Sequence, residues 1–246
     1  MSGSRRHSVS KDVAFIAGLV VVAAALILYL VMRPDGAGGQ EDPTAAPIST
    51  SAGPPPTGQG ETSAMTVERR LAGDPFAVGD PAAPVVLVMF ADYRCPFCAK
   101  FSRDTEPELI DRFVDRGTLR IEWRDFPIFG DQSTLAARAA RAAAEQGRFW
   151  EFNRAVFAAS PERGHADLTE DALTGFAREA GVADLDRFST AMRSNAFDAA
   201  INADLALGNS IGVPSTPAFL INDVPLLGAQ PTSEFVQAID NAAGGQ

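Results

Sequence analysis

Cysteine and histidine are scarce in this sequence of 246 residues, which contains 2 of each. A framework of several disulfides is therefore excluded. A structural zinc site needs a tetrahedral set of thiolate or imidazole ligands, and the two histidines, His7 and His165, are far from each other and from the cysteines in the sequence. Any chemistry based on sulfur must come from the single pair Cys95 and Cys98.

Positive charge is also in short supply. The chain carries 21 Lys and Arg against 31 Asp and Glu, a formal net charge of −10, and no basic run forms a stripe that would bind phosphates. Glycine-rich phosphate loops, paired catalytic carboxylates and Ser-His-Asp spacing are missing as well. We therefore expect no nucleic-acid partner, no metal and no cofactor.

The first long apolar feature is a run without charge from Val13 to Met32. A helix of about 20 residues spans about 30 Å, the hydrocarbon thickness of a bilayer. Arg5, Arg6 and Lys11 precede the run, so the positive-inside rule places the N-terminus in the cytoplasm and the rest of the chain outside. A cleaved signal peptide is the alternative, but its apolar core is usually shorter. The run predicts a single-pass anchor in the cell membrane.

The next segment is rich in Pro, Gly, Ser and Thr, with Ile48 as its one large aliphatic residue and no aromatic residue. Such a segment cannot bury enough apolar surface to offset the ordering of its chain. The sequence therefore predicts four parts. They are a cytoplasmic N-terminus (1–12), a transmembrane helix (13–32), a disordered linker (33–64) and one globular domain (65–246).

The globular domain is organised around a strand, a turn and the two cysteines. The short β-branched run Val85–Phe90 predicts a buried strand, and apolar residues at helical spacing follow Cys98. Cys95 therefore begins a helix, where free N–H groups and aligned peptide dipoles favour negative charge, and Pro96 suits the first turn. A thiol at this position loses its proton readily, and the thiolate is the reactive form.

This placement suggests a division of roles within the pair. We predict that Cys95 is the nucleophile and that Cys98, one turn deeper, resolves a mixed disulfide. A structural disulfide and half of a zinc site are the alternatives. Arg94 is a candidate for lowering the pKa of Cys95, or else a solvated surface residue, and Asp92 is a candidate for tuning the pair or for capping the turn.

Further strands extend this unit into a sheet. The segment Leu119–Phe126 alternates apolar and charged residues, which predicts a strand that lies parallel to Val85–Phe90. Sheet returns with Ala218–Ile221 and Val224–Leu227, and Thr66–Leu71 is a candidate edge strand. The predicted fold class is α/β.

Between about residues 131 and 211 the sequence becomes strongly helical, which predicts an all-helical insertion. The expected helices are Leu135–Ala144, Arg148–Ala158, Thr169–Ala180, Asp184–Arg193 and Ala196–Asn209, followed after the sheet by Thr232–Ala242. Pro107 should break the helix that follows the cysteines, and Gly117 should end it.

Three stretches resemble one known family. They are Phe90–Cys98 with the cysteine pair, Trp123–Pro127 at a strand end, and Gly212–Phe219 followed by Ile221-Asn222. From about Met65 to its C-terminus, the chain resembles the DsbA-like thiol–disulfide oxidoreductases, which have a thioredoxin fold with a helical insertion. Within that family it is similar to the membrane-anchored forms of Gram-positive and actinobacterial type.

The resemblance assigns roles to particular residues. It implies that Cys95 is the nucleophile and Cys98 the resolving cysteine. It also implies that Pro217 follows a cis peptide bond. Thr216, before this proline, would bind an extended substrate peptide by strand-like hydrogen bonds.

Two positions depart from the family pattern. Strongly oxidising members carry a histidine between the cysteines, where this chain has Pro96 and Phe97. Met89 stands where many thioredoxin-fold enzymes have a buried carboxylate. Pro96 and Phe97 therefore join Arg94 and Asp92 as candidates for tuning the pKa of the pair. We expect a reduction potential below about −120 mV and above about −270 mV.

The resulting prediction is a membrane-tethered enzyme outside the cell that passes its Cys95–Cys98 disulfide to reduced or partly unfolded secreted proteins. The resemblance implies a membrane reoxidant similar to vitamin K epoxide reductase. Two alternatives stay open at this point. One is a reductase in the same location, serving cytochrome maturation or thiol repair. The other is a non-catalytic module that binds Cu(I) or a partner.

Overall fold

The structure, a computed structural model, describes residues 67–245 of the chain. The predicted cytoplasmic segment (1–12), anchor (13–32) and linker (33–64) lie outside the described residues. Within residues 67–245, no helix combines the length and the hydrophobicity that crossing a membrane would require.

The described region alternates strands and helices in the predicted order. Its strands are β1 (Ala77–Val78), β2 (Val85–Ala91), β3 (Leu119–Asp125), β4 (Ala218–Ile221) and β5 (Val224–Leu227). Its helices are α1 (Pro96–Asp104), α2 (Glu106–Leu109), α3 (Asp131–Ala144), α4 (Phe149–Ala159), α5 (Glu170–Glu179), α6 (Leu185–Arg193), α7 (Asp198–Ser210) and α8 (Thr232–Gly244), with a π-helical segment at Ile110–Val114. Apart from the candidate edge strand Thr66–Leu71, the predicted bounds agree with these to within about one helical turn.

The described strands form one mixed sheet in the order β1-β3-β2-β4-β5. Strands β2 and β3 run parallel, which confirms the predicted crossover through α1. Strand β4 runs antiparallel to β2, and its first residue, Ala218, lies beside Phe90 near the end of β2. The residue before β4, Pro217, is thereby brought to the end of the sheet where the cysteine pair begins.

One side of the sheet, which we call the α1 face, is covered by α1 and α8. Leu87 and Met89 of β2 are fully buried on it. Three aromatic rings fasten α1 there, since Phe101 lies 4.5 Å from Phe219 of β4 and 5.1 Å from Phe235 of α8, measured between ring centroids. This apolar packing fixes the helix that carries the cysteines.

The opposite side, which we call the charged face, carries Arg120, Glu122 and Arg124 of β3, all of them buried. The Glu122 carboxylate accepts hydrogen bonds from the backbone N–H groups of Arg69 at 2.7 Å and Arg70 at 2.8 Å. It also accepts one from Arg120 Nε at 2.8 Å. A buried ionic cluster therefore ties the first described residues to the sheet.

This cluster explains why the prediction of an edge strand at Thr66–Leu71 is wrong. The described part, residues 67–71, forms no strand. Its backbone N–H groups bond Glu122, and its carbonyl groups accept from Arg120 and Arg124, so side chains of β3 replace the backbone of a neighbouring strand. The edge strand beside β3 is β1 instead.

The predicted interruption of the cysteine helix is confirmed. Helix α1 ends at Asp104, and α2 begins at Glu106 with Pro107 in its first turn. Gly117 has a φ of 73°, the left-handed conformation that commonly ends a helix. The helical insertion, α3 to α7, spans Asp131–Ser210 and confirms the predicted range.

Candidate active site

Cys95 lies at the N-terminus of α1, in the position before its first helical residue, Pro96. Its backbone N–H donates to Asp92 O at 3.1 Å, which closes the turn after β2. Its thiol donates to Thr216 O at 3.2 Å. The residue is only 2 % exposed, so a small part of its side chain meets solvent.

The surroundings of Cys95 favour its thiolate, and its pKa falls from the ordinary value of 9.0 to about 6. The largest cause is the hydrogen bond from the Cys98 thiol, which more than offsets the effect of burial. The Thr216 side chain and the backbone N–H groups of Cys98 and Phe97 lower the pKa further. In the dithiol, the buried Thr216 hydroxyl has no hydrogen-bond partner among residues 67–245, so it is available to the thiolate.

Cys98 has the opposite character. It is completely buried, and burial is the largest cause of a pKa well above the ordinary value. Its hydrogen bond to Cys95, the charge of that thiolate and the charge of Asp92 raise the pKa further. Near neutral pH the pair is therefore one thiolate beside one thiol, which is the arrangement that thiol–disulfide exchange needs.

The Thr216–Pro217 peptide bond is cis, as the resemblance implied. It lies directly before β4, and the contact of Thr216 O with the Cys95 thiol shows that this bond and the cysteine pair meet in one place. Cys95, Thr216 and Pro217 therefore lie together at one end of the sheet, while a role of Thr216 and Pro217 in binding substrate stays a prediction.

Arg94 holds loops together. Its guanidinium donates to the carbonyl oxygens of Ala166 and Phe129, and its own carbonyl oxygen lies 3.1 Å from His165 Nδ1. Arg94 therefore links the start of the cysteine turn to the loop after β3 and to the helical insertion. An effect of Arg94 on the pKa of Cys95 stays a prediction.

Asp92 is buried and binds backbone amides. Its carboxylate accepts hydrogen bonds from the N–H groups of Arg94 at 2.8 Å, Ile128 at 2.7 Å and Phe129 at 3.1 Å. The capping role proposed for it is therefore present, and it also fastens the loop after β3. Its charge acts on Cys98, as described above.

The two residues between the cysteines act through the backbone. Pro96 occupies the first turn of α1, as predicted. Phe97 contributes its N–H group to the stabilisation of the Cys95 thiolate, while its ring is 59 % exposed. An aromatic side chain thus lies open to a partner beside the reactive sulfur.

The pair also offers two soft donors to a metal ion. Burial keeps the Cys98 thiol protonated, however, and a metal-ligating cysteine must lose its proton. Within residues 67–245, no cluster of three or more His, Cys, Asp and Glu side chains is arranged to hold a metal. The geometry favours exchange chemistry at the sulfurs over metal binding.

Sequence reasoning missed a buried polar group behind the pair. Ser102 and Glu106 lie one and two helical turns beyond Cys98, and the Ser102 hydroxyl donates to Glu106 Oε2 at 3.0 Å. Both are buried. The spacing of four residues between Cys98, Ser102 and Glu106 was the available signal, since it places all three on one side of a helix.

A Cys-x-x-Cys pair that begins a helix after a parallel central strand, with a cis-proline beside it, defines the thioredoxin-fold class. The family model described as thioredoxin matches residues 72–241, and the chain belongs to this family.

Individual relatives narrow the assignment. Disulfide bond formation protein D of Bacillus subtilis is 24% identical over 183 residues, which cover 72% of this chain and 82% of that protein. Na⁺/H⁺ antiporter NhaA 3 of Salinispora tropica is 32% identical over 178 residues, or 68% of this chain, and the chain spans only 26% of the length of that antiporter.

Solved structures agree with this assignment. The crystal structure of α-DsbA1 from Wolbachia pipientis has a TM-score of 0.60 and 26% identity, covering 69% of this chain and 91% of that one. The predicted membership of the DsbA-like family is therefore confirmed.

Proposed function

We propose that this DsbA-like protein-disulfide oxidoreductase passes the Cys95–Cys98 disulfide to cysteines of secreted proteins outside the cytoplasm. The difference between the two sulfurs carries the proposal. Cys95 is stabilised as a thiolate by the hydrogen bond from Cys98, whereas Cys98 is a buried thiol whose pKa is raised.

The exchange proceeds in two steps. A substrate thiolate attacks Cys95 Sγ of the enzyme disulfide, the Cys95–Cys98 bond breaks, and Cys98 leaves and takes up a proton. A second substrate thiolate then attacks the substrate sulfur of the mixed disulfide, and Cys95 leaves as its stabilised thiolate. The substrate gains one disulfide, and its two electrons remain on the enzyme dithiol.

The direction of transfer follows from the stability of the leaving thiolate. Interactions that stabilise the reduced form of a dithiol make its disulfide a stronger oxidant. A pKa of about 6 for Cys95 means that its thiolate predominates at neutral pH. This supports the oxidant over the reductase.

The surface beside Cys95 suits extended and partly unfolded chains. Thr216 and the cis bond to Pro217 lie at the sulfur, where backbone groups can pair with an extended peptide. The side chains of Phe97 and Ile128 are 59% and 42% exposed, and Ile128 belongs to the loop that Asp92 fastens. Apolar residues next to a substrate cysteine would pack on them.

The membrane location belongs to the same proposal. The uncharged run Val13–Met32 and the basic residues before it support a tether that holds the catalytic domain outside the cell. A membrane protein similar to vitamin K epoxide reductase would reoxidise the dithiol.

The test uses the full-length chain, purified in detergent, with reduced RNase as substrate. We expect wild-type protein to restore RNase activity and Cys95→Ser to lose this activity. The matched variant Cys98→Ala should also lose turnover with reduced RNase. When it is given RNase whose cysteines are blocked as mixed disulfides with glutathione, the Cys95 thiolate should displace glutathione and accumulate as a disulfide with RNase that dithiothreitol releases. Oxidase activity that survives in Cys95→Ser would overturn the proposal.

Two further measurements complete the test. The alkylation rate of Cys95 should rise with pH around a midpoint of about 6, because only the thiolate reacts. Trapping thiols in intact cells should find the pair mostly as a disulfide. A pair that is mostly dithiol in cells would instead identify a reductase.

A further inference from the structure

The sheet ends at β5, whose outer edge pairs with no other strand among residues 67–245. Val224, Pro225 and Leu227 are exposed on this strand, Val224 to 63 % and Leu227 to 46 %. An unpaired strand edge is a template on which another strand can form. The backbone groups along this edge therefore decide what kind of strand can join it.

The turn between β4 and β5 fixes which backbone groups point outward. Residues 222–223, both with positive φ, form a two-residue turn. In a hairpin of this kind the residues that close the turn, here Ile221 and Val224, exchange hydrogen bonds with each other. Along an antiparallel ladder, bonded and non-bonded pairs then alternate.

The alternation reaches the end of the hairpin, where Gly228 N donates to Pro217 O at 2.9 Å. Pro225 and Leu227 occupy the non-bonded positions, so their backbone groups point away from β4. Pro225 has no N–H group and offers only its carbonyl oxygen. Leu227 offers its N–H group, while its carbonyl oxygen already accepts from Gln230 Nε2 at 2.8 Å.

This pair of groups suits a parallel neighbour. An antiparallel neighbour exchanges both of its bonds with a single residue, and no residue of β5 offers both groups on the outer edge. In a parallel pair, one residue of the neighbour donates to a carbonyl oxygen and accepts from the N–H group two residues further on. Pro225 O and Leu227 N–H supply these two groups.

Strand β5 runs toward the cysteine pair. Gly228, which follows it, bonds Pro217, and the carbonyl oxygen of Thr216 accepts from the Cys95 thiol at 3.2 Å. A parallel strand on this edge also runs toward Cys95, so a cysteine that follows it in the same chain is directed to the reactive sulfur. The new strand would lie three strand positions from β2, or about 14 Å, which at least four or five extended residues can span.

An apolar depression flanks this edge on each face of the sheet. On the α1 face, Val224 and Ala242 line a cavity of about 570 Å³. On the charged face, Leu227, Ile211 and Pro214 line one of about 70 Å³. Successive side chains of a strand point to opposite faces, so alternate apolar side chains of an added strand would lie beside the two cavities. In strand addition, main-chain bonds give affinity and side-chain pockets give specificity.

We propose that the outer edge of β5 is a docking site for an extended apolar segment of the substrate polypeptide, bound parallel to β5 on the N-terminal side of the cysteine that attacks Cys95. The inference rests on the proposed function and deepens it by naming the part of the substrate that is recognised. Partly unfolded proteins offer such segments, because their apolar residues are still exposed to water. A second copy fits less well, since a two-fold axis pairs edge strands antiparallel, which Pro225 and Gln230 disfavour.

The experiment compares two peptides of identical composition. In the first, a segment of alternating valine and serine precedes a glycine-serine spacer of about five residues and then a Cys-Gly-Ser-Cys dithiol. In the second, the dithiol comes first and the segment last. The oxidised full-length chain in detergent is mixed with each peptide below saturation, and mass spectrometry after an acid quench measures the oxidised peptide. We expect the first peptide to be oxidised about tenfold faster, because only its segment can bind parallel to β5 and place the dithiol at Cys95.

Variants of Leu227 separate the backbone from the side chain. Leu227→Pro removes the outward N–H group, whereas Leu227→Ala removes only the side chain. The ratio of the two peptide rates should fall close to one in Leu227→Pro and should keep part of its value in Leu227→Ala. A general effect on Cys95 cancels in this ratio. Leu71→Ala is the matched control, because Leu71 is 57 % exposed beside β3, and it should keep the wild-type ratio.

Pro225→Ala keeps the proposal testable if Leu227→Pro does not fold. It adds an N–H group at position 225, so that this residue offers both groups to an antiparallel strand. The second peptide should then react faster than it does with wild type, and the ratio should fall.

Equal rates of the two peptides with the wild-type chain would overturn the inference. This holds whether the edge stays empty, is covered by residues 33–66 of the same chain, or is covered by a second copy, which sedimentation of the same sample would reveal. An unchanged ratio in Leu227→Pro and Pro225→Ala would overturn it as well. A failure of the proposed function is distinguishable, because the chain would then exchange with neither peptide nor glutathione, and a reductase would oxidise both peptides poorly while keeping their ratio.

Discussion

The two sides of the sheet each bury a glutamate, and the two glutamates are held in opposite ways. On the charged face, Glu122 accepts hydrogen bonds from two backbone N–H groups and from Arg120. Burial opposes its ionisation, but these donors outweigh burial and lower its pKa. On the side of α1, the Glu106 carboxylate accepts a hydrogen bond from Ser102, and burial raises its pKa to about 7 in spite of this bond and the positive charge of Arg154.

The comparison distinguishes Glu122, whose charge stabilises the fold, from Glu106, whose carboxyl group titrates near neutral pH. The charged face uses fixed ionic pairing to attach residues 67–71 to β3. The α1 face holds the cysteine helix by apolar packing, which has no directional demands. Of these two glutamates, only Glu106 changes charge near neutral pH. It lies on the side of the sheet that carries the redox pair.

The largest expected effect comes from breaking the charged face. Glu122→Leu removes the acceptor of Arg120 and of two backbone N–H groups, and leaves the cations of Arg120 and Arg124 buried without this partner. Removing one partner of a buried ionic cluster costs about 3–5 kcal/mol. We expect a loss of this size in the free energy of unfolding, measured with urea at pH 7.

The control for this prediction is an exposed pair. Glu145 and Arg187 are 2.9 Å apart and both are substantially exposed, so Glu145→Gln should change the free energy of unfolding by less than about 1 kcal/mol. If Glu122→Leu cost no more than this control, the charged face would not fasten residues 67–71.

The second prediction concerns stability and pH on the other side of the sheet. The pKa of Glu106 rises from 4.5 to about 7 on folding, so the folded protein binds more protons than the unfolded chain between these values. The favourable contribution is complete below about pH 4.5 and is lost as the pH rises through 7. It amounts to about 3 kcal/mol at 1.36 kcal/mol per pKa unit.

Glu106→Gln should remove this loss, because an amide does not titrate. In the oxidised proteins, where the cysteines do not titrate, the free energy of unfolding of wild type should fall between pH 5 and pH 8 relative to that of Glu106→Gln. Glu122 predicts the reverse slope, since its pKa is lowered in the folded state and its contribution is lost as the pH falls. The same fall in Glu106→Gln and in wild type between pH 5 and pH 8 would show that Glu106 does not titrate as the structure indicates.

The comparison of the two faces also shows what the sequence could predict. The bounds of β4 and β5, the helix that starts after Cys95 and the helical insertion all follow from local patterns of apolar residues. The alternation Leu119–Phe126 predicts β3, but charged residues at every second position ordinarily indicate a solvent face. They are buried here because residues 67–71 and Asp204 of α7 cover them. Those partners are distant in the sequence, and no local pattern reveals the pairing.

The site shows the same division. The cysteine pair and the cis-proline are predictable because their motifs are short and specific. Arg94 was expected to act on Cys95 or to be solvated, yet it bonds the carbonyl groups of Phe129 and Ala166. Backbone carbonyl groups carry no sequence signature. Glu106 resembles any surface glutamate until α4 packs near it, so its burial and its raised pKa depend on tertiary structure alone.

The smallest expected effect tests whether the stability of the α1 face depends on the polarity of a buried side chain as well as on its size. Met89 is 1 % exposed on β2, beside Trp123 of β3 and Phe219 of β4. Met89→Leu keeps the volume and the apolar character, so it should cost less than about 1.5 kcal/mol and leave disulfide exchange unchanged. Met89→Gln has a similar length but buries an amide without an assigned partner, which costs about 1–3 kcal/mol. Urea unfolding of both variants at pH 7 measures the contrast. Equal losses would mean that the α1 face accepts a buried polar group as readily as an apolar one. The α1 face and the charged face would then differ only in the residues that cover them.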